Sequence, residues 1–279
     1  MNEQVCITVL IENSVNARGL KAEHGLAFHI EISGRRLLFD TGQTALLLEN
    51  AASLGLPLGD LCAVVLSHGH YDHTGGLTAV RGAAPQVRLF LHPAALLPKF
   101  SGNTDGSARS VGMNEASVQT VREAAEAAVW TTKPTEVLDG IFVTGEIPRR
   151  NSFEDTGGRF FLDEACTQPD PLLDDQALFF DTRDGLVVLL GCAHAGVVNT
   201  LEYIQYITGG RPIHAILGGL HLRVAGPERI ERTIEAFQRW HIQRIAPAHC
   251  TGVSAVARLR TAFPEKCFSC AVGTRMVFQ

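Results

Sequence analysis

Residues 68–73 read His68-Gly69-His70-Tyr71-Asp72-His73, three imidazoles and one carboxylate within six positions. Imidazole and carboxylate are the ordinary ligands of zinc, iron and manganese. The run follows the apolar segment Cys62-Ala63-Val64-Val65-Leu66, which reads as a buried strand, and it precedes Gly75-Gly76. A strand that delivers four such groups beyond its carboxyl end is suited to hold a metal. The H-x-H-x-D-H spacing also lets successive ligands alternate in direction, so one loop can serve two ions. A lone histidine would carry no such meaning.

Four other segments share the design, each a strand ending in Gly or Pro or an acid, with a polar group at its tip. They end at Asp40, His194, His221 and His249. In open α/β sheets, ligands gather beyond the carboxyl ends of strands, so these groups can meet at one rim. Asp40 suits either a ligand or an anchor, and Asp-Thr-Gly at a strand end favours an anchor that orients ligand histidines. His24, His29, His92, His214 and His241 lack the strand-end position and read as structural or surface residues.

These positions need a scaffold of alternating strands and helices. Strands are expected at 5–11, 26–32, 35–40, 62–67, 87–92, 141–144, 176–181, 186–191, 212–217 and 242–246. Helices are expected at 44–54, 196–208, 227–240 and 253–263, the third with Pro227 at its start. The segment 97–112 is rich in Gly, Ser, Asn and Asp, and 114–129 looks helical. Residues 97–130 therefore read as an excursion from the main sheet, either a lid or a solvated insertion. No linker divides the chain, so residues 1–279 read as one α/β domain of two mixed sheets with helices outside.

The hydrophobic fraction of 46% suits a substantial core, and the net charge of −5, with no Lys/Arg block, argues against a nucleic-acid surface. No apolar run reaches membrane-spanning length, and residues 1–5 carry no signal-peptide pattern. Seven scattered cysteines fit reduced thiols in a cytoplasm, and the lone C-x-x-C pair Cys267/Cys270 is weak evidence of anything more. The expected partner is a small molecule, with an anion allowed, and the oligomeric state is left open.

His68-x-His70-x-Asp72-His73, with Asp40 before it and His249 after, resembles the signature of the metallo-β-lactamase superfamily. Segments 144–149, 174–178, 191–196, 218–222 and 247–252 resemble the branch named after dihydropterin–aminobenzene phosphate synthase, linked to methanopterin-type cofactors. The resemblance implies a four-layer αβ/βα sandwich with a dinuclear centre at one edge of its two sheets. It implies two divalent ions, zinc first, with iron or manganese as alternatives. His68, His70 and His194 would hold one ion, and Asp72, His73 and His249 the other.

One departure stands out. Where much of the superfamily has a bridging aspartate in a Gly-Asp, this chain reads Gly191-Cys192-Ala193-His194. Either no carboxylate bridges the ions, or an acid such as Asp175 or Glu146 reaches in; Cys192 and Cys250 flank ligand positions and either ligate instead or, as favoured, serve packing.

The chemistry expected of such a site is hydrolysis of an ester, lactone or phosphoester by metal-activated water. Asp72 would also steer a proton, and His221 would contact substrate or protonate the leaving group. Arg149 and Arg150 would either clamp an anion or be solvated. The alternatives are a synthase-like transferase, as the branch name implies, and a non-catalytic metal-dependent sensor.

Overall fold

The computed structural model describes residues 4–138 and 140–279. Its first sheet has seven strands, in the order Arg275–Phe278, Val5–Ile11, Ala27–Ile32, Arg35–Phe39, Ala63–Val65, Arg88–Leu91 and Ala128–Trp130. The second has six, in the order Arg244–Ala248, Ile213–Gly219, Gly185–Leu190, Ala177–Thr182, Ile141–Val143 and Thr135–Leu138. The strands that lead to the histidine loops run parallel, Ala63–Val65 with both its neighbours in the first sheet and Gly185–Leu190, Ile213–Gly219 and Arg244–Ala248 with one another in the second, where Gly185–Leu190 also pairs antiparallel with Ala177–Thr182.

Side chains alternate across a strand, and both faces of each sheet are covered. Leu37 and Phe39 therefore join Val65, Leu178, Leu189 and Leu217 in the core between the sheets. Leu38 and Val64 point the other way, onto the helices Leu46–Ser53 and Leu77–Ala83. Val188 and Leu190 likewise face Val197, Leu201, Phe237 and Leu259 of the helices outside the second sheet. The result is the four-layer αβ/βα sandwich that the resemblance implied. No helix among the described residues is long and apolar enough to cross a membrane.

The excursion differs in detail from expectation. The helix expected over 114–129 ends early, at Glu115–Glu123, and Ala128–Trp130 closes the edge of the first sheet. Val129 and Trp130 suit a pleated edge better than a helix interior, and pairing with Arg88–Leu91 satisfies their backbone. Before that helix, Phe100–Gly102 and Ala108–Ser110 form a hairpin. With Phe160–Phe161 it makes a third, three-stranded sheet. Phe160 brings this small sheet against His70 and His194, with ring centroids 5.0 and 5.2 Å away.

Candidate metal centre

The histidine loop is held from below by Asp40. Its Oδ1 accepts the backbone N–H of Ser67 at 2.7 Å, and its Oδ2 accepts both Ser67 Oγ–H and His73 Nδ1–H at 2.7 Å. Ser67 Oγ in turn accepts His68 Nδ1–H at 2.9 Å. One buried carboxylate thus orients two imidazoles, which is the anchoring role. Gly191 is required beside it, because a Cβ there would stand 2.0 Å from Ser67 Oγ.

Two adjacent carboxylates hold the loops from the side. Asp174 Oδ2 accepts the Gly69 N–H, and Asp175 Oδ2 accepts the Ala195 N–H, each at 2.7 Å. The buried Lys99 ammonium ties Asp174 to Asp170 at 2.8 Å each. Burial raises the Asp175 pKa to about 6 against the pull of the Ala195 N–H and Arg149. Glu12 and Asn13, at the tip of Val5–Ile11, fix His249 through its N–H (2.8 Å) and its Nδ1–H (3.0 Å).

These bonds define the tautomers. His68, His73, His194 and His249 all donate through Nδ1, the third to the Thr156 carbonyl at 2.8 Å. In the neutral ring, the form that binds a metal, their Nε2 atoms therefore carry lone pairs. The Nε2 atoms of His73 and His249 stand 3.2 Å apart, with Asp72 Oδ2 at 3.8 and 3.2 Å from them. His68 Nε2 lies 3.0 Å from His70 Nδ1, and the Nε2 atoms of His70 and His194 are buried without a partner. Facing imidazole nitrogens, and the buried His194 acceptor with nothing to accept, fit a bound cation.

The electrostatics agree. Burial keeps His68, His70 and His194 neutral, the ligand form, with His70 lowered to about 3. Burial opposes charge on His73 too, but Asp40 and Asp72 outweigh it and raise the pKa to about 9. Without a cation His73 therefore keeps a second proton on Nε2, and a bound cation would take that proton's place. Burial likewise opposes the Asp72 carboxylate, and His73, His24 and His249 overcome it to hold the pKa well below the usual range.

His221 closes the far side. Its ring centroid is 4.3 Å from that of His194, its Nε2–H donates to the Gly157 carbonyl, and its Nδ1 is buried and unpaired. A Cβ on Gly157 would overlap the imidazole, at 1.8 Å. Asp40, Ala193, His221 and His249 all have left-handed backbone, with φ of 63°, 55°, 47° and 51°. Such strain gathers where a site must be held against local preference. Above the histidines opens a cleft of about 270 Å³, its rim including His24, Tyr71, Arg109, Phe160 and Arg223.

The structure brings all six expected ligands and His221 to this one place, but four other expectations change. Arg149 and Arg150 do not line the cleft among the described residues. The Arg149 guanidinium is spent on the His194 and Pro171 carbonyls, and that of Arg150 lies over the Tyr206 ring. Neither acid considered as a bridge reaches in, since Asp175 holds the His194 loop and Glu146 pairs with His92 on the outside. Cys192 is more than a packing residue, because its Sγ lies 3.2 Å from His73 Nε2. His24 is no bystander, because its Nε2 meets Asp72 Oδ2 at 3.1 Å. The signal for Asn13 was available: Glu12-Asn13 also follows an apolar strand.

The sequence matches the family model of the metallo-beta-lactamase superfamily over residues 21–203, and the chain belongs to that superfamily. It is 30% identical over 254 residues to 7,8-dihydropterin-6-methyl-4-(β-D-ribofuranosyl)-aminobenzene-5'-phosphate synthase of Methanocaldococcus jannaschii, covering 88% of this chain and 86% of that one. Among solved structures it is similar to Tm1679, a metal-dependent hydrolase of the β-lactamase superfamily, with 32% identity, a TM-score of 0.80 and 98% of each chain covered. Zinc-bound PqqB from Methylobacterium extorquens shares the fold at 15% identity and a TM-score of 0.57, covering 97% of this chain and 99% of that one. Superfamily members bind divalent metals, and most are hydrolases.

Proposed function

We propose that the chain is a metal-dependent hydrolase of a small ester, lactone or phosphoester. The observation that carries this reading is the convergence of buried Nε2 lone pairs and the Asp72 carboxylate on the floor of an open cleft. His68, His70 and His194 would hold one divalent ion, and Asp72, His73 and His249 the other. Zinc is the first candidate, given the imidazole-rich donor set. Bound ions supply Lewis-acid activation of water and of the electrophilic centre.

The chain's own residues supply the rest. Asp40 fixes His68 and His73 so that their Nε2 atoms need no reorganisation. Asp72 Oδ2, already shared with His24 and His249, is placed to take or steer a proton. His221 Nδ1, unpaired beside His194, is placed to pass a proton to a leaving group. Arg109 and Arg223 on the cleft lining suit an anionic substituent. Seven unpaired cysteines support a cytoplasmic setting.

A second reading, a transferase resembling the dihydropterin–aminobenzene phosphate synthase, is supported by the 30% identity over most of both chains. The same centre would then stabilise departing pyrophosphate. The test is metal analysis of protein purified without added metal, with an ester, lactone and phosphodiester panel run with and without chelator. Chelator-sensitive turnover supports the hydrolase. Full activity in metal-free protein refutes it. Turnover only when a dihydropterin pyrophosphate and a phosphorylated aminobenzene riboside are both supplied moves the assignment to the transferase.

A further inference from the structure

The strand Gly185–Leu190 runs into Gly191 and Cys192, and the Cys192 thiol is 97% buried yet lies on the cleft lining. Its Sγ stands 3.2 Å from His73 Nε2. Two sets of donor atoms, His68–Cys192–His194 and His73–Cys192–His249, each lie within 4.8 Å of one another, and Cys192 is the member they share. Metal bonds of about 2.0–2.3 Å set tetrahedral donors roughly 3.3–3.8 Å apart, and the Cys192–His73 separation is already close to that, so small shifts would close each set on an ion. The two sets contain two of the three expected ligands of each ion, so the thiol stands between the two halves of the centre. Cys250 has no such position, since among the described residues it groups with Cys192 and His221 alone.

Among the described residues no carboxylate stands between the two pairs. Asp175 is committed to the Ala195 N–H, and Glu146 is half-exposed beside His92. Asp72 approaches only the His73–His249 side and His24.

From this juxtaposition we infer that the Cys192 thiolate is a ligand shared by both ions, in the place between the His68–His194 and His73–His249 pairs. The inference rests on the dinuclear reading proposed above. On metal binding the thiol proton leaves to solvent, and sulfur lone pairs form one bond to each ion. A soft donor at the centre biases the site toward zinc, cobalt or iron and away from manganese and magnesium. It also makes the centre sensitive to oxidants that a carboxylate bridge would ignore.

The test is X-ray absorption and metal analysis on the full chain, stripped with chelator and reloaded with zinc. A shared thiolate gives two zinc ions per chain and one sulfur neighbour per zinc, although only one cysteine provides it. A thiolate on a single ion would average half a sulfur, and that result overturns the inference, as does zinc without sulfur. Cobalt-loaded protein should show a thiolate charge-transfer band in the near ultraviolet. The band should survive in Cys250→Ala and disappear in Cys192→Ala, and the reverse pattern overturns the assignment. If Cys192→Ala does not fold, the sulfur count in wild type and Cys250→Ala still decides. A chain that binds no zinc at all would refute the dinuclear reading and this inference together, whereas two ions without sulfur would refute this inference alone.

Discussion

Oδ2 of Asp40 lies 2.7 Å from Nδ1 of His73, and both side chains are fully buried. The pair converts a strand-end acid into the support of the opposite loop, and it leaves His73 Nε2 free to face His249. Asp40→Asn keeps the size and tolerates the left-handed backbone at this position. It loses an acceptor for Ser67 or His73. Metal affinity should fall by about 10–100-fold with the fold retained. Competition with a chelator of known affinity measures this, and an unchanged affinity would show that Asp40 serves packing alone.

The two ligand sets should be separable. His194→Ala should remove the ion held with His68 and His70, and His249→Ala the ion held with Asp72 and His73. Each variant should carry about half the wild-type metal content, read by elemental analysis after gel filtration. Full content in either would reject its residue as a ligand.

Lys99 is 1% exposed and bonds Asp170 and Asp174. Burial disfavours its charge, but the two carboxylates outweigh that and raise its pKa. Lys99→Met strands two buried carboxylates and should cost about 3–5 kcal/mol. Denaturant unfolding checks the figure. Because Asp174 also holds Gly69, metal affinity should drop as well, and a loss below 1 kcal/mol would contradict the network.

The two arginine environments predict opposite phenotypes. Arg109 lines the cleft, so Arg109→Ala should raise KM for an anionic phosphodiester about tenfold and leave metal content intact. Arg149 grips the His194 carbonyl at 2.6 Å, so Arg149→Ala should lower metal occupancy instead. Steady-state kinetics beside metal analysis separates them.

His29 is buried in the strand Ala27–Ile32 with Nε2 unpaired, and burial lowers its pKa from 6.5. Below pH 6.5 the unfolded chain therefore binds a proton that the folded chain refuses. Stability should fall as pH drops from 6.5 toward the lowered folded value. His29→Gln should flatten that slope in a melting-temperature series, and parallel slopes for the two proteins would exclude His29 as a source.

The ligand run was legible because its groups are contiguous and follow an apolar strand. His194, His221 and His249 were legible because the same strand-end design recurs. Arg149 misled, because a guanidinium after a Gly-Glu-Ile-Pro turn reads the same whether it faces substrate or a carbonyl. His24 and Asn13 were passed over because neither sits in a dense cluster, although both follow Val5–Ile11 into the rim.

The chain by itself offered the candidate ligand types and the alternation of strands and helices, since these follow from residue identity and from local periodicity, and its resemblance to a superfamily supplied the four-layer sandwich. Tertiary structure alone decided which acid supports which histidine and what stands between the two ligand sets. Asp40 and His73 are 33 residues apart, and Cys192 and His73 are 119 apart. No local pattern encodes such distances; only the packing of two sheets brings their strand ends together. At the His68–His73 loop that packing sets the Cys192 thiol 3.2 Å from His73 Nε2, nearer than the Asp72 carboxylate at 3.8 Å.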